Sequence, residues 1–275
     1  MMSTLGDAAG VSQCKGERMC VKRMRIRGLA LAFAVAATVS LAAEFPETTC
    51  GKMVQAASRR IKVACIGDSI MFGFLLAHPE QESFPGQLQR MLGDGYEVRN
   101  FGVPGLGVYL HLPWKSQKNG KRAWSLSPKY AEAMAWKPDI VISNLGANDL
   151  DEYPKEFLPG ADCIPALTRG TFRRQYADVL NAFKLGGSSP RILMWTRLCA
   201  MKGARAEKYG LTMAVMAEDL ERVAAEVGAE GLDIYSVTKD SAANEEWPDM
   251  THPPVSGHQA IAEAILKVLR RPSCE

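Results

Sequence analysis

Four short stretches hold the residue types that a serine needs to open an acyl bond. They are Gly67-Asp68-Ser69, Asn100-Phe101-Gly102-Val103-Pro104-Gly105, Gly146-Ala147-Asn148-Asp149 and Asp249-Met250-Thr251-His252. Acyl transfer of this kind requires a hydroxyl that attacks, an imidazole that takes its proton, a carboxylate that orients the imidazole, and N–H donors for the developing oxyanion. Ser69, His252, Asp249 and the Asn148 amide supply one of each. The three-residue spacing of Asp249 and His252 lets a tight loop fold the carboxylate back onto the ring nitrogen that faces away from serine.

Each residue also has a structural reading. A serine between a strand and a helix caps the helix, Gly102 and Gly105 make a turn, Asn148 bonds loop backbone, and Asp249 starts a turn. The functional reading rests on all four types occurring together. His258, in SGHQAIAEAI, is the rival base, but its place in the first turn of an amphipathic helix favours a structural role. Asp149 has no histidine at motif spacing and reads as a loop brace; Asp68 reads as a partner of local backbone. His78 and His111 lack carboxylate neighbours at such spacing.

These residues need a scaffold that gathers strand ends. Strand-like runs, most of them rich in Val, Ile and Leu, at 61–67, 96–102, 139–146, 191–198 and 232–237 alternate with helix-like segments at 83–93, 130–136, within 170–185, within 211–228 and at 256–270. Alternation of this kind predicts βαβ units, and continuously apolar strands predict a sheet covered on both faces. The expected fold is a three-layer α/β/α sandwich around a central, mostly parallel five-stranded sheet. Ligands bind such sheets beyond the carboxyl ends of the strands, where the first three stretches lie; the fourth follows the last strand run.

Met71 stands where a G-x-S-x-G elbow would need glycine. With GDSIMFG, NFGVPG, GAND and DMTH in this order, the chain instead resembles the SGNH, or GDSL-type, hydrolase family over about 61–270. The resemblance implies a flavodoxin-like domain over 59–272, with Ser69 as nucleophile, His252 as base and Asp249 as its partner. It further implies an oxyanion hole formed by the Ser69 N–H, the Gly102 N–H and the Asn148 side chain, and chemistry that needs no metal or cofactor. The sequence departs from the family in Ile70 after GDS, in Ala147, and in Met250-Thr251. YEVRNFGVPG and PDIVISNLGAND look most like the branch associated with deacetylating carbohydrates, which implies short acyl esters on a glycan or small molecule. A lysophospholipase or thioesterase acting on lipid, and a carbohydrate-binding relative without chemistry, are the alternatives.

Segment 103–129 is long for a βα connection and carries Tyr109, His111, Trp114 and Trp124 among five Lys/Arg. It reads either as a sugar-stacking rim or as a solvated basic loop. Trp114, and Trp247 just before Asp249, are the substrate-binding candidates. Cys163 and Cys199 both fall after strands on this same edge, which suggests a disulfide; Cys50 and Cys274 flank the domain and suggest a second.

The N-terminus reads separately from the domain. Lys22, Arg23, Arg25 and Arg27 precede an apolar run from Gly28 to Ala43 that ends in small residues, the pattern of a secretory signal removed near Ala42 or Ala43. About sixteen apolar residues fall short of the ~20 that a membrane span needs. Residues 1–43 are thus the expected leader and 44–58 a linker, with a secreted or periplasmic product. Of 33 Lys/Arg and 30 Asp/Glu, six and two lie in the leader, so 27 and 28 remain. That balance excludes a broad nucleic-acid-binding face. No CxxC or Cys/His spacing points to a metal site.

Overall fold

Val63, Ala64, Cys65 and Ile66 form the centre of the sheet because their strand is apolar on both faces. In the computed structural model, which describes residues 59–109, 123–154, 168–185 and 187–271, β1 (Ile61–Gly67) pairs in parallel with β2 (Tyr96–Gly102) on one side and β3 (Ile140–Ser143) on the other. β4 (Arg191–Arg197) and β5 (Glu230–Asp233) complete a five-stranded, all-parallel sheet of order β2-β1-β3-β4-β5. Gly67 pairs with Gly102 at the carboxyl edge.

The helices are α1 (Ser69–Phe72), α2 (Pro79–Glu82), α3 (Phe84–Leu92), α4 (Pro128–Trp136), α5 (Arg169–Leu185), α6 (Gly203–Val227), α7 (Ile234–Asn244) and α8 (Val255–Leu269). Alternate strand residues meet different helices, as the two-residue period of a strand requires. Ala64, Ile66, Val141, Ile192 and Met194 pack with Ala133, Phe172, Leu180, Leu220 and Val223 of α4, α5 and α6. Val63, Cys65, Ile142, Leu193 and Trp195 pack with Met71, Phe84, Leu88, Ile261 and Ile265 of α1, α3 and α8. Two cores on opposite faces of one sheet make the expected three layers.

LDIYSV is not a strand throughout. β5 ends at Asp233, whose carboxylate accepts the Ser236 N–H at 2.9 Å and caps α7, so Ile234 onward is helical. α6 begins at Gly203, eight residues before the expected start. The expected Cys163–Cys199 disulfide is also absent. Cys199 is a free, buried thiol 3.6 Å from Thr238 Oγ1, and burial pushes its pKa up to about 12. Cys65 is likewise free and buried. The leader, the 44–58 linker, Trp114, His111, Cys50, Cys163 and Cys274 lie outside the described residues.

Candidate active site

The turn that carries Ser69 is built by Asp68. Its carboxylate accepts the Ile70 N–H at 2.9 Å and so caps α1, a single-turn helix that Gly73 ends in a left-handed conformation. Ser69 is therefore the first helical residue, and its N–H has no intrahelical acceptor. Burial pushes the Asp68 pKa up to about 6, against the hydrogen bonds from Ile70 and Asn144 that favour its anion.

His252 reaches this turn from the loop between α7 and α8. Its Nε2 lies 2.8 Å from Ser69 Oγ and its Nδ1 lies 2.8 Å from Asp249 Oδ2. The other carboxylate oxygen accepts the Thr251 N–H at 2.6 Å and the His252 N–H at 2.7 Å. Three acceptances hold Asp249 rigidly in its own loop. Burial alone would raise its pKa, but the hydrogen bonds from His252 and Thr251 outweigh that and hold it below the usual carboxylate value. An ionised carboxylate only accepts, so the His252 proton sits on Nδ1 and Nε2 is left to accept from the serine hydroxyl. The Phe74 ring lies against the imidazole with centroids 5.1 Å apart, and the Phe74 N–H donates to the Ser69 carbonyl at 2.9 Å.

The remaining expected site residues have mixed placements. Asn148 sits in a 3₁₀ turn, Ala147–Asp149, and one of its two amide hydrogens goes to the Leu106 carbonyl at 3.0 Å. The Gly102 N–H, expected to face an oxyanion, instead donates to Asn100 Oδ1 at 2.9 Å. Glycine is needed there for another reason: a Cβ would stand 2.4 Å from the Phe72 nitrogen, so the residue lets α1 lie against the end of β2. Trp247 is half-buried against the α8-side core, and its indole N–H donates to Ser241 of α7 at 3.2 Å.

The rival acid and the rival base have structural partners. Asp149 accepts the Val108 N–H at 2.9 Å and the Tyr109 N–H at 3.0 Å, which ties the loop after β3 to the loop after β2. Burial pushes its pKa up to about 7, against those two hydrogen bonds. His258 is buried, takes the Phe84 N–H on Nδ1 at 3.2 Å, and is driven down to about 3 by burial and by the nearby His252.

Sequence reading missed two asparagines. Asn144 is buried and hydrogen-bonds Asp68 twice. Asn100 donates to the Met71 carbonyl at 2.7 Å while accepting from Gly102. Asn144 is a polar residue inside an apolar run, and a buried amide must find partners; that was the available signal, and Asn100, in the polar YEVRNFG, offered none.

A serine, imidazole and carboxylate thus stand in hydrogen-bonded sequence at the carboxyl edge of a parallel sheet, an arrangement capable of acyl transfer. The profile of the GDSL-like lipase/acylhydrolase family matches residues 65–260, and the chain belongs to that family. An acetylxylan esterase from Xylanibacter ruminicola is 26% identical over 220 residues, covering 76% of this chain and 43% of that protein. The chain thus spans less than half the length of that relative. Among solved structures, a carbohydrate acetylesterase family member from Sinorhizobium meliloti aligns with a TM-score of 0.56 at 19% identity, over 76% of this chain and 97% of that one. The aryl esterase of M. smegmatis aligns with a TM-score of 0.54 at 18% identity, over 76% and 98%. These two share the fold.

Proposed function

We propose that the protein is an exported serine esterase that removes short acyl groups, acetyl foremost, from a carbohydrate. The observation that carries the chemistry is the 2.8 Å approach of His252 Nε2 to Ser69 Oγ with Asp249 2.8 Å behind the ring. His252 takes the hydroxyl proton as Ser69 Oγ attacks the ester carbonyl, and the resulting imidazolium is stabilised by Asp249. The oxyanion is held by the Ser69 N–H, at the positive end of α1, and by the second hydrogen of the Asn148 amide. Collapse passes the His252 proton to the leaving alcohol and leaves an acyl-Ser69 ester. Water, deprotonated by the same Nε2, then releases the acid and restores the serine.

The carbohydrate assignment is supported by the acetylxylan esterase relative and by the stretches around Asn100 and Asn148. Export is supported by the basic flank and apolar run before Ala43. A second reading, a lipid acyl hydrolase, is favoured by one observation: Phe72, Phe74 and Leu75, just after the nucleophile, are 41%, 42% and 47% exposed.

Hydrolysis of 4-nitrophenyl acetate by wild type and Ser69→Ala tests the mechanism. The variant is expected to lose at least ~10³-fold in kcat with its fold retained; equal rates would remove the nucleophile. Acetyl against octanoyl esters, then acetylated xylan against lysolipid, separates the two substrate classes. Preference for octanoyl ester and lysolipid would overturn the carbohydrate reading alone.

A further inference from the structure

We propose that Asn144 is a positioning residue for the nucleophile. It grips Asp68 on two sides and thereby sets where the Ser69 hydroxyl and N–H stand relative to His252; this rests on Ser69 being the nucleophile.

The geometry is reciprocal. Asn144 Oδ1 accepts the Asp68 N–H at 3.1 Å, while Asn144 Nδ2 donates to Asp68 Oδ1 at 2.9 Å. Both residues are 1% exposed, so no water competes for these bonds. Asp68 Oδ1 is also the atom that caps α1 through the Ile70 N–H. One oxygen therefore joins the strand β3 extension to the helix on which Ser69 rides. The residue before Ser69 is fixed through its backbone and its side chain together, and only the two ends of Ser69 itself remain to be placed. His252 holds the hydroxyl end from the opposite loop.

The neighbouring glycine records the same clamp. A Cβ on Gly67 would stand 1.6 Å from Asn144 Oδ1, and its next non-Asn144 neighbour, Met71 Cβ, would be 3.1 Å away. Gly67 lies in a regular strand with no positive φ. Its side chain is excluded by the Asn144 amide, not by backbone conformation.

Amide chemistry is essential to this arrangement. The site needs an acceptor for the Asp68 N–H and a donor for the Asp68 carboxylate 76 residues away in sequence. An aspartate at 144 keeps the shape and supplies the donor only when protonated. The titratable groups that interact electrostatically with Asp68 are His252 from the α7–α8 loop, Asp149 from the turn after β3, Tyr176 from α5 and Cys199 just after β4. Of these only His252 favours the Asp68 anion, so a second ionised carboxylate at 144 would have no cation to share.

The test uses the full domain with 4-nitrophenyl acetate, circular dichroism as a fold check, and Ser69→Ala as the control. Asn144→Ala is expected to lower kcat by about 10²-fold with KM within about twofold, the signature of a displaced reacting group. Asn144→Asp is expected to approach wild type near about pH 5.5 and to fall progressively below it toward about pH 9, as the new carboxyl ionises against Asp68. Gly67→Ala is expected to cost ~10²-fold alone and nothing further when added to Asn144→Ala, since the colliding atom is gone. If Asn144→Ala does not fold, the wild-type-normalised pH profile of Asn144→Asp decides. A flat profile, or a Gly67→Ala cost that is the same in both backgrounds, would overturn the clamp while Ser69→Ala stays inactive. An active Ser69→Ala would overturn the nucleophile reading instead.

Discussion

Asp249 and Asp149 are two aspartates in loops at the same sheet edge, each accepting two backbone N–H groups, yet their environments drive them in opposite directions. Asp249 is 40% exposed at its side chain and is held ionised by His252 and Thr251. Asp149 is 2% exposed, and burial pushes it up to about 7 although Val108 and Tyr109 donate to it. Hydrogen bonds of similar number and length are present in both; solvent makes the difference. A half-exposed carboxylate remains an anion, which is what the proposed mechanism asks of the group behind His252. A buried one is a strap, useful for joining the loop after β2 to the loop after β3. The site thus has an exposed relay above and a buried floor of Asp68, Asn144 and Asp149 beneath.

The relay and the floor should fail differently. Asp249→Asn keeps the shape but removes the charge and favours the wrong ring tautomer, so kcat on 4-nitrophenyl acetate is expected to fall by about 10³–10⁴-fold with Tm almost unchanged. Asp149→Ala leaves the buried Val108 and Tyr109 N–H groups short of an acceptor, with an expected stability loss of about 2–4 kcal/mol and a smaller kcat loss of ~10²-fold. A large Tm drop in the first variant, or full activity in the second, would break the distinction.

How legible the two regions were in the sequence follows the same division. The relay could be read because Asp249 and His252 lie within one four-residue loop, and β1 because its apolar run ends abruptly at Gly67. The floor could not, because its bonds join residues far apart: nothing local in DIVISNLG says that Asn144 turns back to Asp68. The resemblance alone put Gly102 among the N–H donors, whereas its bond to Asn100 and its close approach to Phe72 are evident only in three dimensions. LDIYSV is as apolar as a strand, and only the Asp233 cap discloses the start of α7. α6 begins early because GARAEKYG, though helical, lacks the apolar spacing that marks an interior-facing helix.

A pH experiment sharpens the comparison with a smaller effect. The folded pKa of Asp149 lies near 7, above its usual 3.8. The native state therefore binds this proton more tightly than the unfolded chain does, and the stability it confers is full below about pH 4 and lost as pH rises through about 7. Asp149→Asn cannot titrate, so its Tm relative to wild type is expected to improve by about 5 °C between about pH 5 and pH 8. Asp249 has the opposite sign: its contribution is present above the usual value and lost as pH falls through its lowered one. Asp249→Asn is accordingly expected to lose ground to wild type on going up from about pH 3 to pH 5. Parallel melting curves for both variants across this range would show that solvent does not divide the two carboxylates.

The smallest effect is expected at the second histidine. His258 is buried and driven down to about 3, so it stays neutral throughout the working range, and its Nδ1 is occupied by the Phe84 N–H. It therefore belongs to the floor, despite standing only six residues from His252 in the chain. His258→Asn keeps an acceptor of similar reach and should cost about 1 kcal/mol of stability with kcat within about threefold of wild type. His252→Ala, by contrast, should abolish turnover. A His258→Asn variant that folds normally but loses activity as deeply as His252→Ala would place a second base in the reaction and erase the boundary between relay and floor.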